Sequence, residues 1–200
     1  GRRGSMNFTL TVRGVQGHTA YPQLANNPIH PLVGMLHNLL EEPLDSGTEH
    51  FPPSCLQLTT IDVGNTATNV IPAETKAHFN VRFNDLYSSE QVEAWVRERL
   101  HRADFEYDLQ IRVSGESFLC PPGPLSDLMS NSIQEITGIK TELGTSGGTS
   151  DARFIKDYAT VAEFGLLNDT AHKVDEYCKI SELEDLSKIY ESMLRGYFHN

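Results

Sequence analysis

The 200 residues, 38% hydrophobic and 22% charged, suffice for one large domain or two small ones and exclude a disordered chain. A formal net charge of -11 excludes a nonspecific hold on nucleic acid or on an anionic membrane surface, because both need a positive field. Three separated cysteines (Cys55, Cys120, Cys178) without a CxxC pair exclude a disulfide framework and a zinc knuckle. No apolar run nears the about 18 residues that span a bilayer, and "GRRGSMNFTL" lacks a signal-peptide core, so the expected location is cytoplasmic.

In chain order, "SMNFTLTVRG" places Met6, Phe8, Leu10 and Val12 on one parity and Asn7, Thr9, Thr11 and Arg13 on the other, which predicts a half-buried strand. After a loop around His18, "NPIHPLVGMLHNLLEE" spaces Ile29, Leu32, Val33, Leu36, Leu39 and Leu40 as a helix that ends near Pro43. "SCLQLTTIDVG" and "TNVIPAETKAHFNVRFN" read as two strands paired in a hairpin across "GNTA". "SSEQVEAWVRERLHRA" reads as an amphipathic helix and "FEYDLQIRVSG" as a final strand. Strand, helix, strand, strand, helix, strand is the ferredoxin-like order, assigned to residues 5–115. Pro121, Pro122 and Pro124 mark a boundary. Residues 116–200 then read as an incomplete α/β segment: a helix over Leu125 to Thr137, the glycine-rich loop "GTSGGTSD", a short helix "ARFIKD", an apolar strand "TVAEFG", the loop "LLNDTAHKVDE", and a last helix capped by Ser181 and Glu184.

Few residues in these elements carry chemistry. His172, flanked by Asp169, Asp175 and Glu176 after a predicted strand end, fits a metal ligand or general base, and equally a surface histidine beside solvated acids. The loop "GTSGGTSD" offers backbone N–H groups with Ser146, Thr149 and Ser150, suited to a carboxylate or phosphate, or is a plain tight connection. It has neither a Walker lysine nor the elbow of a serine hydrolase, which disfavours a triad of Ser146 or Ser150 with His172 and Asp175. The remaining histidines show no ligand spacing on a helix face.

Taken together, "GRRGS", "QGHTAYPQLANNPIH", "NVIPAE", "SGGTSDARFI" and "HKVDE", in this order and at these separations, resemble the C-terminal half of the bacterial succinyl-diaminopimelate desuccinylases, a branch of the M20 family of zinc amidohydrolases and peptidases. The resemblance covers essentially the whole chain. It implies that residues 5–115 are a ferredoxin-like lid and dimerisation domain, and that 116–200 are the C-terminal part of an α/β zinc-hydrolase catalytic domain. It implies a homodimer, and it implies that His18 reaches into the partner's active site as a hydrogen-bond donor to the scissile carbonyl oxygen, accompanied by Asn69. Arg2, Tyr21, Arg82, Gly148, Thr149 and Asn168 match positions that contact substrate, and His172 matches a metal ligand. The implied cofactor is two zinc ions per active site, with cobalt as a substitute. The implied substrate is N-succinyl-LL-2,6-diaminopimelate, cleaved to succinate and LL-2,6-diaminopimelate in lysine and cell-wall precursor synthesis.

The family's remaining metal ligands and its general base have no equivalent in these residues. The chain is therefore expected to be a fragment, inactive and unable to retain zinc by itself. Two other readings stay open: a noncatalytic ferredoxin-like dimerisation or small-molecule-binding module, and a fragment of another M20 deacylase.

Overall fold

In the computed structural model, residues 1–145 and 148–199 are described. Gly1–Leu119 with Thr145–Ser150 form one compact unit, and Cys120–Gly144 with Asp151–Asn200 form a second.

The first unit is built on the predicted alternation. Its elements are β1 (Gly4–Arg13), β2 (Gly17–His18), α1 (Ile29–Leu40), β3 (Cys55–Asp62), β4 (Val70–Ile71), β5 (Glu74–Phe83), α2 (Ser89–His101) and β6 (Tyr107–Gly115). The antiparallel sheet runs β3-β5-β1-β6, the ferredoxin-like order. Met6, Phe8, Leu10 and Val12 of β1 share one sheet face with Ala77, Phe79, Val81 and Phe83 of β5. Leu32, Met35, Leu36 and Leu39 of α1 and Val92, Val96 and Leu100 of α2 complete that core. Phe8 and Phe79 stack with ring centroids 4.7 Å apart. The opposite face is polar, with Asn80 Nδ2 donating to Asn7 Oδ1 at 3.0 Å and Thr9 Oγ1 3.0 Å from His78 Nδ1. Alternation along each strand makes this division unavoidable, because side chains two apart share a face.

The hairpin expected from residues 55–83 exists as β3 against β5, but its second arm is divided. Pro72, which has no N–H to give a ladder, separates β4 from β5, and β4 pairs with β2 instead. Arg13 closes this end of the main sheet through ion pairs with Asp108 and, at 3.2 Å, with Glu74.

The second unit contains α3 (Pro124–Thr137), α4 (Ala152–Ile155) and α5 (Ile180–Phe198). Pro124 starts α3 where a missing N–H costs nothing, and Gly138 ends it at φ +73°. Helix α3 packs on α5 with Ile133 and Ile189 buried, and a Cβ on Gly196 would lie 2.6 Å from Leu128. Two expectations fail here. "TVAEFG" forms no strand, since among the described residues no strand of this unit is available to accept its backbone hydrogen bonds. Ser181 does not cap α5: the cap lies two residues earlier, at Lys179 in extended conformation, so Ser181 lies inside the first turn. No described helix is long and apolar enough to cross a membrane.

Candidate functional site

The loop that carries His18 is pinned from two sides. Its own short strand pairs antiparallel with β4, setting Gly17 against Ile71 and His18 against Val70, and the Thr19 N–H donates to the Asn69 carbonyl at 3.0 Å. Val15 and Asn26 exchange backbone hydrogen bonds of 2.8 and 2.9 Å across the loop. Such close backbone approach requires glycine. A Cβ on Gly14 would strike the Asn26 carbonyl oxygen, and one on Gly17 would lie 2.6 Å from the Ala25 Cβ. These supports bring His18, Tyr21 and Asn69 into one exposed cluster, with the His18 and Tyr21 rings 5.7 Å apart.

A hydrogen bond also orients the imidazole. The Ala20 N–H donates to His18 Nδ1 at 3.0 Å, so Nδ1 is the acceptor of the neutral ring and Nε2 carries the proton. The loop therefore presents an N–H donor outward. Nearby charge is shared in a small cluster: Lys76 donates to Glu74 at 2.8 Å and holds its carboxyl below the usual range, helped by Arg13.

Arg82 lies elsewhere in the first unit. It sits on the polar sheet face opposite Ser5 of β1 and Cys55 of β3, whereas His18 lies beyond the other end of β1, where Arg13 meets Glu74. From Ser5 to Arg13 the strand advances by about 27 Å. Arg2 bridges through its backbone to Phe118 at 2.9 and 3.0 Å.

Gly148 and Thr149 belong to the segment Thr145–Ser150 of the first unit, whose Thr145 hydroxyl donates to the His50 carbonyl. Ser146 lies outside the described residues. A Cβ on Gly148 would meet nothing within 4 Å. In the second unit, Asn168 and His172 share one exposed turn, with the Ala171 N–H donating to the Asn168 carbonyl at 3.2 Å and the His172 N–H to Glu176 Oε2 at 3.2 Å. His172 takes a left-handed backbone, φ +61°. Among the described residues no group of three His, Cys, Asp or Glu side chains could hold a metal ion. One histidine does not fit a dinuclear zinc site, so the chain's own donors are insufficient for the metal that the family resemblance implies.

Sequence reading proposed His18, Tyr21 and Asn69 as candidates but did not show what brings them together. The two-residue β2–β4 ladder is too short to leave a periodic signal, although the glycines at 14 and 17 and Pro72 are its visible traces.

A ferredoxin-like α+β unit that presents an oriented imidazole from a glycine-pinned loop defines the class. Residues 1–108 match the family model described as a peptidase dimerisation domain, and the chain belongs to this M20 family. The succinyl-diaminopimelate desuccinylase of Rhodospirillum rubrum is 53% identical over 99% of the chain and 52% of its own length. That of Parvibaculum lavamentivorans is 52% identical over 99% of the chain and 51% of its own length. The chain thus spans about half the length of the curated relatives it matches. Among solved structures, an M20 family metallo-carboxypeptidase from Sulfolobus solfataricus superposes with a TM-score of 0.80 at 14% identity, covering 98% of this chain and 58% of its own. A dipeptidase from Saccharomyces cerevisiae gives 0.75 at 15% identity, covering 100% and 55%. These two establish the fold.

Proposed function

We propose that the chain is the C-terminal half of a homodimeric, zinc-dependent cytoplasmic succinyl-diaminopimelate desuccinylase, which hydrolyses N-succinyl-LL-2,6-diaminopimelate to succinate and LL-2,6-diaminopimelate. The observation that carries this reading is identity above one half to a relative of that name across 99% of the chain. Residues 5–115 are the lid and dimerisation domain, and 116–200 complete the catalytic domain, whose remaining metal ligands come from outside this chain. The metal supplies polarisation and the nucleophile in the complete enzyme. His172 is its ligand within these residues.

When water adds to the scissile amide, negative charge gathers on the carbonyl oxygen, and His18 Nε2–H donates to it. The Ala20 N–H on Nδ1 supports this role, because it holds the tautomer that has a proton to offer and requires no reorganisation during reaction. Asn69 stands just before the paired strand, where its carbonyl accepts from the Thr19 N–H. Arg2 and Arg82 receive substrate carboxylates through their planar forks, and Tyr21, Gly148, Thr149 and Asn168 contact the rest of the substrate.

His18 and Arg82 lie at opposite ends of one sheet, so a single lid cannot bring both to one small molecule. Two copies can. If the open edges β3 pair antiparallel about a twofold axis, the His18 end of one copy lies beside the Arg82 end of its partner. The test uses two variants of the complete enzyme. His18→Ala should lower kcat by about a hundredfold or more, and Arg82→Gln should raise KM. A mixed dimer contains one active site with both residues intact, so activity should partly return on mixing. If subunits demonstrably exchange and activity stays at the level of the separate variants, His18 does not act across the interface.

A further inference from the structure

The polar face of the sheet carries guanidinium groups that the described carboxylates leave alone. Arg82 faces Ser5 on one side and Cys55 on the other, and Arg112 of β6 faces Asn7. Arg3 joins them from the start of β1, with Nη1 donating to Cys55 Sγ at 3.7 Å. Its Nε is buried and finds no hydrogen-bond partner. Among the described residues none of these three arginines enters an ion pair, in a chain with 27 acidic residues. The carboxylates at the neighbouring strand ends are engaged elsewhere: Glu116 Oε2 accepts from the Ser89 N–H at 3.1 Å, and Asp85 Oδ1 from Thr48 Oγ1 at 3.5 Å.

The Arg3 guanidinium thus rests on a thiol, a weak acceptor that leaves it unsatisfied, and that thiol's residue is paired in register with Arg82 on the same sheet face. Like charges on adjacent strands repel, and a buried N–H without an acceptor is costly, so an anion bound here would offset both. Strand parity decides which arginine takes part. Arg3 alternates with Gly4, whose missing Cβ makes room for the Phe83 ring on the core face, and so shares Arg82's polar face. Arg2 has the opposite parity and bridges to Phe118.

We propose that Arg3 is a further substrate-binding residue, which closes with Arg82 on the terminal carboxylate of a small aliphatic dicarboxylic acyl group, with Cys55 as the floor between them. That the acyl group is succinyl rests on the desuccinylase reading; the clamp itself does not.

The experiment titrates succinate into the ¹⁵N-labelled chain at constant ionic strength and follows the arginine Nε–H resonances by NMR, with acetate, glutarate and chloride as comparison ligands. The Arg3 and Arg82 signals should move together along one saturating curve, and chloride should not reproduce it. Arg3→Gln should weaken succinate binding at Arg82 about tenfold or more while leaving the backbone amide spectrum in place. Arg3→Lys should recover only part, because an ammonium is a point charge without the planar fork. A common response to glutarate as strong as that to succinate supports the clamp and counts against the succinyl reading. A response at Arg82 with Arg3 silent overturns the proposal and leaves that reading standing. Silence at both residues, or an equal response to chloride, also overturns it.

Discussion

At the residue scale, the chemistry offered by this chain depends on small side chains as much as on the imidazole. His18 Nδ1 accepts from the Ala20 N–H, and the loop that carries this contact is bonded to Asn26 and lies against Ala25. Gly17→Ala would set two Cβ atoms 2.6 Å apart, well inside ordinary contact. The loop must move, at a cost of about 1 to 3 kcal/mol. Urea unfolding should record that loss, and ¹⁵N NMR of the His18 ring should show the Nε2–H tautomer giving way to a mixture. An unchanged ring spectrum would mean that the glycine does not position the histidine.

At the element scale, local hydrogen bonds set where helices and loops begin. Helix α2 starts with a reciprocal capping box, Ser88 Oγ accepting from the Gln91 N–H at 3.4 Å and Gln91 Oε1 accepting from the Ser88 N–H at 2.9 Å. Ser88→Ala should cost about 1 kcal/mol in thermal or urea unfolding. The connection from α1 to β3 is organised by Asp45, whose Oδ1 accepts from the Gly47 N–H at 2.8 Å, the Ser54 N–H at 3.1 Å and Asn84 Nδ2 at 2.8 Å. Burial disfavours this carboxylate, but the hydrogen bonds from Ser54, Gly47 and Asn84 together outweigh it and lower its pKa below the ordinary 3.8. A depressed folded-state pKa stabilises the protein above the unfolded value, and that contribution is lost as pH falls from 3.8 through the folded value. Asp45→Asn should therefore reduce stability at neutral pH and flatten its decline in this acid range, as urea midpoints measured across pH will show.

At the scale of the whole molecule, the first unit has two sheet edges of different character. β6 carries Asp108 and Arg112, the kind of charges that discourage pairing, whereas β3 is uncharged from Cys55 to Ile61. Ile61 of β3 and Val33 and Leu40 of α1 are each more than half exposed. Association through β3 and this face of α1 agrees with the family's description as a dimerisation domain. Ile61→Asp combined with Val33→Asp should convert a dimer to a monomer in sedimentation at micromolar concentration, with circular dichroism unchanged. Persistent dimers would move the interface to another surface.

The ferredoxin-like order was legible in the sequence because its signals are local: period-two alternation in β1 and β5, helical spacing in α1 and α2, and polar breaks between them. His18, Tyr21 and Asn69 were candidates through family resemblance, as motifs, and the fold places them in one cluster. The strand expected at "TVAEFG" was not formed, because a strand requires a partner that hydrophobic pattern alone cannot provide. Placement of the cap at Ser181 failed by two residues, since Lys179, in extended conformation, is the N-cap and Ile180 already lies in the helix. Sequence alone therefore determined the elements of the first unit and the chemical groups in play. Only tertiary structure decided that β4 leaves the hairpin to hold β2, that an N–H from Ala20 sets the proton on Nε2, and that Arg3 rather than Arg2 shares a face with Arg82. The first and the last depend on register between segments distant in the chain, which no single segment contains; the Ala20 contact spans only two residues and depends on the loop conformation that the β2–β4 pairing frames.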